Sequence, residues 1–189
     1  MDQRDRIPPN QTITTKFPVL HVGNIPKIPI EEWELNVEGL VENPLHLTFE
    51  EFLALPSTID TSDFHCVTGW SRFDNKWEGI AFTTITELAK PKPNAKFVTI
   101  QCYGGYSTSL PLEELMNEDV LFAYKHEDRE LEAVHGGPVR LVVPKKYAYK
   151  SAKWVHKIIF TEIQELGFWE KRGYSNTADP WKDDRYTNF

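Results

Sequence analysis

The sequence predicts an α+β fold, mostly β, built from mixed or antiparallel sheets with a few short helices. Three observations carry this. Apolar residues alternate with period two in several windows. The helical signals are brief and rest on capping patterns, not on long amphipathic runs. Strand-like and helix-like windows do not alternate, so a parallel sheet of βαβ units is not expected.

The elements follow in order. Residues 1–30 hold five prolines, Pro8, Pro9, Pro18, Pro26 and Pro29, which disfavour both helix and central strand. This stretch reads as an extended arm packed on a single domain formed by residues 31–189. Glu32 to Val37 puts Trp33, Leu35 and Val37 on one face and reads as a strand. Thr48-Phe49-Glu50-Glu51 is a capping box opening a short helix to about Leu55, and Thr84 with Glu87 repeats the pattern for a helix to about Lys90. Phe97 to Cys102 is rich in β-formers. Pro111 suits the first turn of a short helix. Val120 to Tyr124 and Val139 to Val143 read as buried strands. Lys153 to Glu162 alternates again, with Trp154, His156, Ile158 and Phe160 on one side. The segment from Gly173 onward is polar and aromatic and reads as ordered coil.

Composition narrows the function. The 189 residues are 40% hydrophobic and 13% aromatic, enough to bury a core. A formal net charge of −7 argues against a nucleic-acid partner. No apolar run approaches the roughly 18 residues of a membrane span. Residues 1–10 hold neither an apolar h-region nor a twin-arginine pair, so a cytoplasmic location is expected. Two cysteines, Cys66 and Cys102, make no disulfide scaffold.

Two segments can carry chemistry. In Asp63-Phe64-His65-Cys66-Val67-Thr68-Gly69-Trp70-Ser71 a cysteine ends a strand before a glycine-containing turn. Its thiolate would serve as nucleophile or soft metal ligand; equally, free cysteine is often a small buried hydrophobe. His65 should point to the opposite face of the strand. The window Gly136 to Lys157 holds Arg140, Lys145, Lys146, Lys150, Lys153 and Lys157 and no acid. With His135-Gly136-Gly137 and Ser151 it would hold a phosphate, or it is a solvated basic strand face. Phosphate-loop, dinucleotide, zinc and nucleophile-elbow signatures are absent. A Cys66–His135 hydrolase dyad is a minor alternative.

The run Cys66 to Ser71, followed by Trp77-Glu78-Gly79, resembles the molybdenum-cysteine region of the sulfite oxidase family. His135-Gly136-Gly137-Pro138-Val139-Arg140-Leu141-Val142-Val143-Pro144, continued to Trp154, resembles that family's second signature. Phe17-Pro18-Val19-Leu20-His21 sits at its first cofactor-contacting segment. The layout resembles the small stand-alone bacterial and archaeal members. This resemblance implies a molybdenum–molybdopterin cofactor with Cys66 as the protein's metal ligand. His135 and Arg140 would hold the pterin and its phosphate, with Ser151, Ala152 and Lys153 as the next contact segment. Cys102 falls where relatives place a cofactor-touching residue. His21 and Phe17 would contact the pterin from the arm. Tyr147 would donate a hydrogen bond near the metal.

The chain departs from the family at the substrate. Val19, Leu20 and Ser71 stand where sulfite oxidases place anion-holding arginines, with Arg72 or Lys146 as conceivable substitutes. Thr68 stands where the sulfoxide-reductase branch has glutamate. Two-electron oxygen-atom transfer on a small substrate is therefore expected, with S-oxide or N-oxide reduction favoured over sulfite oxidation. The chain has no haem or iron–sulfur motif, so a separate electron-transfer partner is expected. The competing reading is a non-catalytic β-rich binding module or cofactor-free scaffold that presents Trp70, Trp77, Tyr103 and Tyr106 as a recognition surface.

Overall fold

The computed structural model describes residues 3–187. Its strands are β1 (Thr12–Ile13), β2 (Glu34–Gly39), β3 (Leu45–Thr48), β4 (Ser57–Cys66), β5 (Trp70–Ala81), β6 (Phe97–Cys102), β7 (Ser107–Pro111), β8 (Leu121–His126), β9 (Arg129–Glu130), β10 (Arg140–Val142) and β11 (Val155–Thr161). Three short helices intervene: α1 (Phe49–Leu53), α2 (Phe82–Ala89) and α3 (Leu112–Leu115). The α+β, mostly β expectation holds.

The strands form two mixed sheets. In the six-stranded sheet β5 is the spine. β4 pairs antiparallel along its length, β1 runs parallel to Trp70–Ser71, and β8 pairs with Trp77–Ala81 and carries β9 and β10. The five-stranded sheet runs β3-β2-β11-β6-β7, with β2 and β11 parallel. The main core joins both sheets: Leu35, Val37, Ile100, Ile158 and Phe160 from one, Ile80, Phe122 and Leu141 from the other, and Phe82, Ile85 and Ala89 of α2.

Local chemistry explains most boundaries. The Thr48 box forms as expected: its Oγ1 accepts from Glu51 N at 3.3 Å, and its own N–H donates to Glu51 Oε2 at 2.8 Å. The second box does not form. α2 starts at Phe82, two residues before Thr84, because the Phe82 side chain is fully buried and its N–H donates to Val120 O at 3.0 Å. A tertiary carbonyl does there what a cap would do. Pro111 closes β7 and caps α3 from outside the helix. The alternation across Lys153–Glu162 is broken by a bulge between Val155 and Lys157, with Trp154 at φ +58°. Val155 is therefore buried and His156 is left half-exposed, while Ile158 and Phe160 keep their inward register. The tail is ordered by short 3-10 turns at Glu170–Arg172 and Pro180–Lys182.

Candidate active site

The end of β4 and the start of β5 present the cysteine. Gly69 N–H donates to Cys66 O at 3.0 Å, closing a turn whose last residue has φ +99°, a conformation glycine adopts without strain. Cys66 is 6% exposed and faces Trp70 across the hairpin. Its Sγ lies 3.1 Å from Thr68 Oγ1. Burial pushes the thiol pKa up, opposed by Thr68, Arg185 and Lys153. His65 points the other way, its Nδ1 2.8 Å from Ser71 Oγ.

The second wall comes from the glycine-rich turn before β10. Gly136 has φ +108°, and a Cβ there would lie 3.0 Å from the Cβ atoms of both Arg140 and Lys153. The missing side chain lets two cationic stems converge. Arg140 is 2% exposed and donates to the carbonyls of His135 and Ser151, each at 2.8 Å. Lys153 Nζ donates to Val134 O at 2.8 Å. Among the described residues neither cation has a carboxylate within ion-pair distance. Burial depresses Arg140 to about 9 and, helped by Arg140, Lys153 to about 7. His135 Nδ1 is buried without a partner. Buried cations without acids are costly unless an anion completes them.

The arm supplies the third wall. Phe17 stacks on His135, ring centroids 4.4 Å apart and planes 4° apart. His21 lies edge-on to Trp154, with Nδ1 2.9 Å from Gly23 O. Aromatic residues form the fourth: Tyr106, Tyr149, Trp169 and Tyr174. The hydroxyls of Tyr106 and Tyr149 are committed to the carbonyls of Tyr149 and Ser175. That of Tyr174 is uncommitted among the described residues, and burial raises its pKa. These walls enclose a cavity of about 280 Å³.

The cavity gathers Phe17, His21, Cys66, His135, Arg140, Ser151, Ala152 and Lys153. Two expectations need correction. Cys102 is 3% exposed and belongs to the main core; its thiol is raised far by burial, and it does not line the cavity. Tyr147 is fully buried, and its hydroxyl donates to Asp183 Oδ1 at 3.2 Å. It precedes the 3-10 turn Ala148–Lys150, which turns Ala148 and Tyr149 toward the cavity instead. Neither conceivable substitute for the missing arginines reaches it: Arg72 is paired with Glu127, and Lys146 with Glu114 at 2.7 Å. Trp77 is fully buried, so it joins no recognition surface. Trp169 and Tyr174 escaped sequence reasoning; the aromatic spacing of the tail was the only signal.

Residues 22–169 match the family model described as an oxidoreductase molybdopterin binding domain. The chain belongs to this family. The molybdopterin-binding domain is 45% identical over 187 residues to the uncharacterized oxidoreductase YuiH of Bacillus subtilis, covering 98% of this chain and 94% of that protein. It is 32% identical over 157 residues to the protein-methionine-sulfoxide reductase catalytic subunit MsrP of Campylobacter jejuni, covering 74% of this chain and 52% of that one. The crystal structure of the sulfane dehydrogenase SoxCD from Paracoccus pantotrophus shares the fold, with a TM-score of 0.72 at 23% identity, over 81% of this chain and 43% of that one. The domain thus spans nearly all of YuiH and about half of MsrP.

The residues present suit molybdopterin. The two cations without carboxylates fit its phosphate, and the soft sulfur of Cys66 fits molybdenum. Among the described residues no three His, Cys, Asp or Glu side chains gather to hold an ion unaided, so a metal at Cys66 needs further donors. The cofactor's dithiolene is such a donor set. No described helix is long and apolar enough to cross a membrane.

The depressed Lys153 has a measurable consequence. Ordinary lysine titrates near about 10.4, whereas Lys153 is held at about 7. Between about 7 and about 9 the unfolded chain binds more protons than the folded cofactor-free chain, so stability rises with pH there. Thermal unfolding of cofactor-free protein across this range should show that rise, and Lys153→Met should flatten it. An unchanged slope in the variant would show that Lys153 titrates normally.

Proposed function

We propose that this domain reduces a neutral S-oxide by two-electron oxygen-atom transfer, with an N-oxide as the nearest alternative. The observation that carries this reading is the aromatic wall of the cavity, whose only lysine or arginine lining residues, among those described, are the Arg140 and Lys153 assigned to the phosphate. By the family resemblance, Val19, Leu20 and Ser71 stand where a sulfite site would carry cations, and Arg72 and Lys146 are committed elsewhere. An anionic substrate would lose its charge-assisted bonds there. The 32% identity to a protein-methionine-sulfoxide reductase points the same way.

Molybdenum–molybdopterin, when bound, would supply the two-electron couple. The chain's own residues bind and orient. Cys66 Sγ would be the protein ligand, with Thr68 Oγ1 3.1 Å away to fix its direction. Arg140 and Lys153 would hold the phosphate, and the Phe17–His135 stack with His21, Ser151 and Ala152 would form the rest of the cradle. The Tyr174 hydroxyl donates a hydrogen bond to the substrate oxygen. Trp169 and Tyr149 exclude water and pack against the groups flanking sulfur. The sulfoxide takes up two electrons and two protons and leaves as sulfide and water. The electrons come from a separate carrier.

The test is steady-state turnover of the holoprotein with reduced viologen as donor. Methyl p-tolyl sulfoxide and dimethyl sulfoxide should be reduced. Sulfite with ferricyanide, and nitrate with the viologen, should turn over at least about tenfold more slowly, the worth of one lost charge-assisted bond. Faster turnover of either anion would overturn the reading.

A further inference from the structure

We propose that Arg185 is a positioning residue that, with Asp183 and the Asn10–Thr12 stretch, fixes the backbone of the Cys66–Gly69 turn and hence the direction in which Cys66 Sγ enters the cavity. The restraint stands on geometry alone; its consequence for the metal rests on the reading of Cys66 as ligand.

The turn's carbonyls are held from outside. Cys66 O accepts from Gln11 Nε2 at 3.1 Å as well as from Gly69 N. Val67 O accepts from Arg185 Nη1. Gly69 O accepts from Thr12 N at 2.8 Å. Gln11 spans the hairpin, because its Oε1 accepts from Ser71 Oγ at 3.2 Å. The small serine at this position thus anchors the brace from the arm.

Arg185 is itself immobilised. Its Nε donates to Asp183 Oδ1 at 2.6 Å and its Nη2 to Asn10 O at 3.3 Å. Its guanidinium lies over the Tyr147 ring, 5.3 Å from the centroid. Asp183 Oδ2 accepts from Asn10 Nδ2 at 2.7 Å, and Oδ1 from the Tyr147 hydroxyl. Tyr147 therefore acts through this brace and not at the cavity. Asn10 and Arg185 both lie outside residues 22–169, which match the family model. A ligand's direction depends on such supports, whose loss typically costs about 10–100-fold in metal affinity.

The test is site-resolved alkylation by iodoacetamide, read by mass spectrometry, on full-length protein from a host that makes no molybdopterin. Cys102, buried in the core, is the internal control for general loosening. Compared at equal thiolate fraction, since loss of the Arg185 charge lowers that fraction, Arg185→Gln should raise the Cys66 rate about tenfold, the worth of one charge-assisted hydrogen bond, and leave Cys102 unchanged. Arg185→Lys keeps one donor for Val67 O and should fall between. Asp183→Asn leaves the guanidinium and should have a smaller effect. An unchanged Cys66 rate, or an equal rise at both cysteines, overturns the proposal. In holoprotein, Arg185→Gln should release molybdenum about tenfold faster. Faster alkylation with unchanged release would keep the brace and refute Cys66 as the ligand.

Discussion

Cys66→Ser should abolish turnover and lower the molybdenum content of the site. A hydroxyl is a hard, weakly acidic donor, and a soft redox metal selects thiolate over it. Losing a supporting residue costs about 10–100-fold, so losing the ligand should cost more than about 100-fold in activity. Serine fits the space, since Cys66 is 6% exposed and packs at a hairpin end, so the fold should survive. Circular dichroism, elemental mass spectrometry and viologen-linked turnover give the three readings. Full metal content with full turnover in Cys66→Ser would remove Cys66 from the site.

Arg140→Met should separate pterin binding from folding. Methionine keeps the apolar stem and removes the guanidinium, which lies near the rings of Phe17, Phe64 and Trp77. It removes a buried charge that no carboxylate compensates and that burial has pulled down to about 9. It also frees the carbonyls of His135 and Ser151. Two lost charge-assisted bonds to a phosphate amount to about 3 kcal/mol, or about 100-fold in cofactor affinity. Fluorescence of the released, oxidised pterin should therefore be near background in a variant with wild-type circular dichroism. Normal pterin content would show that the anion is held elsewhere.

Local signals in the sequence were reliable where one residue decides a local structure. Thr48 and Glu51 specify a helix start by themselves, and Phe97 to Cys102 specifies a strand by its β-formers. The long β4–β5 hairpin was hidden because its residues are largely polar and half-exposed, with register shifts at Ser62/Phe64 and Glu78/Gly79 that spoil alternation. Its stability lies in pairing, which no single window displays. In the cavity, the cations and glycines were legible because their chemistry is unusual. Tyr147 and Cys102 were misplaced because position along a chain does not fix a side chain's direction. A 3-10 turn redirects the first, and β6 turns the second into the core. The role of Arg185 was invisible because Val67 and Asn10, whose carbonyls it holds, lie far away in sequence.

The bond between Asn10 and Asp183 joins residues 173 positions apart. Contacts of such separation close late, since loop entropy must be overcome before they give anything back. A nascent chain that ends near residue 170 can already form both sheets, all three helices and the cradle of Arg140 and Lys153. It holds the turn that carries the cysteine only through Gln11 and Thr12, and lacks the Arg185 bond to Val67 O. Synthesis thus imposes an order on maturation, with an anion-binding basin assembled early and a rigid sulfur donor only after residue 185 has emerged.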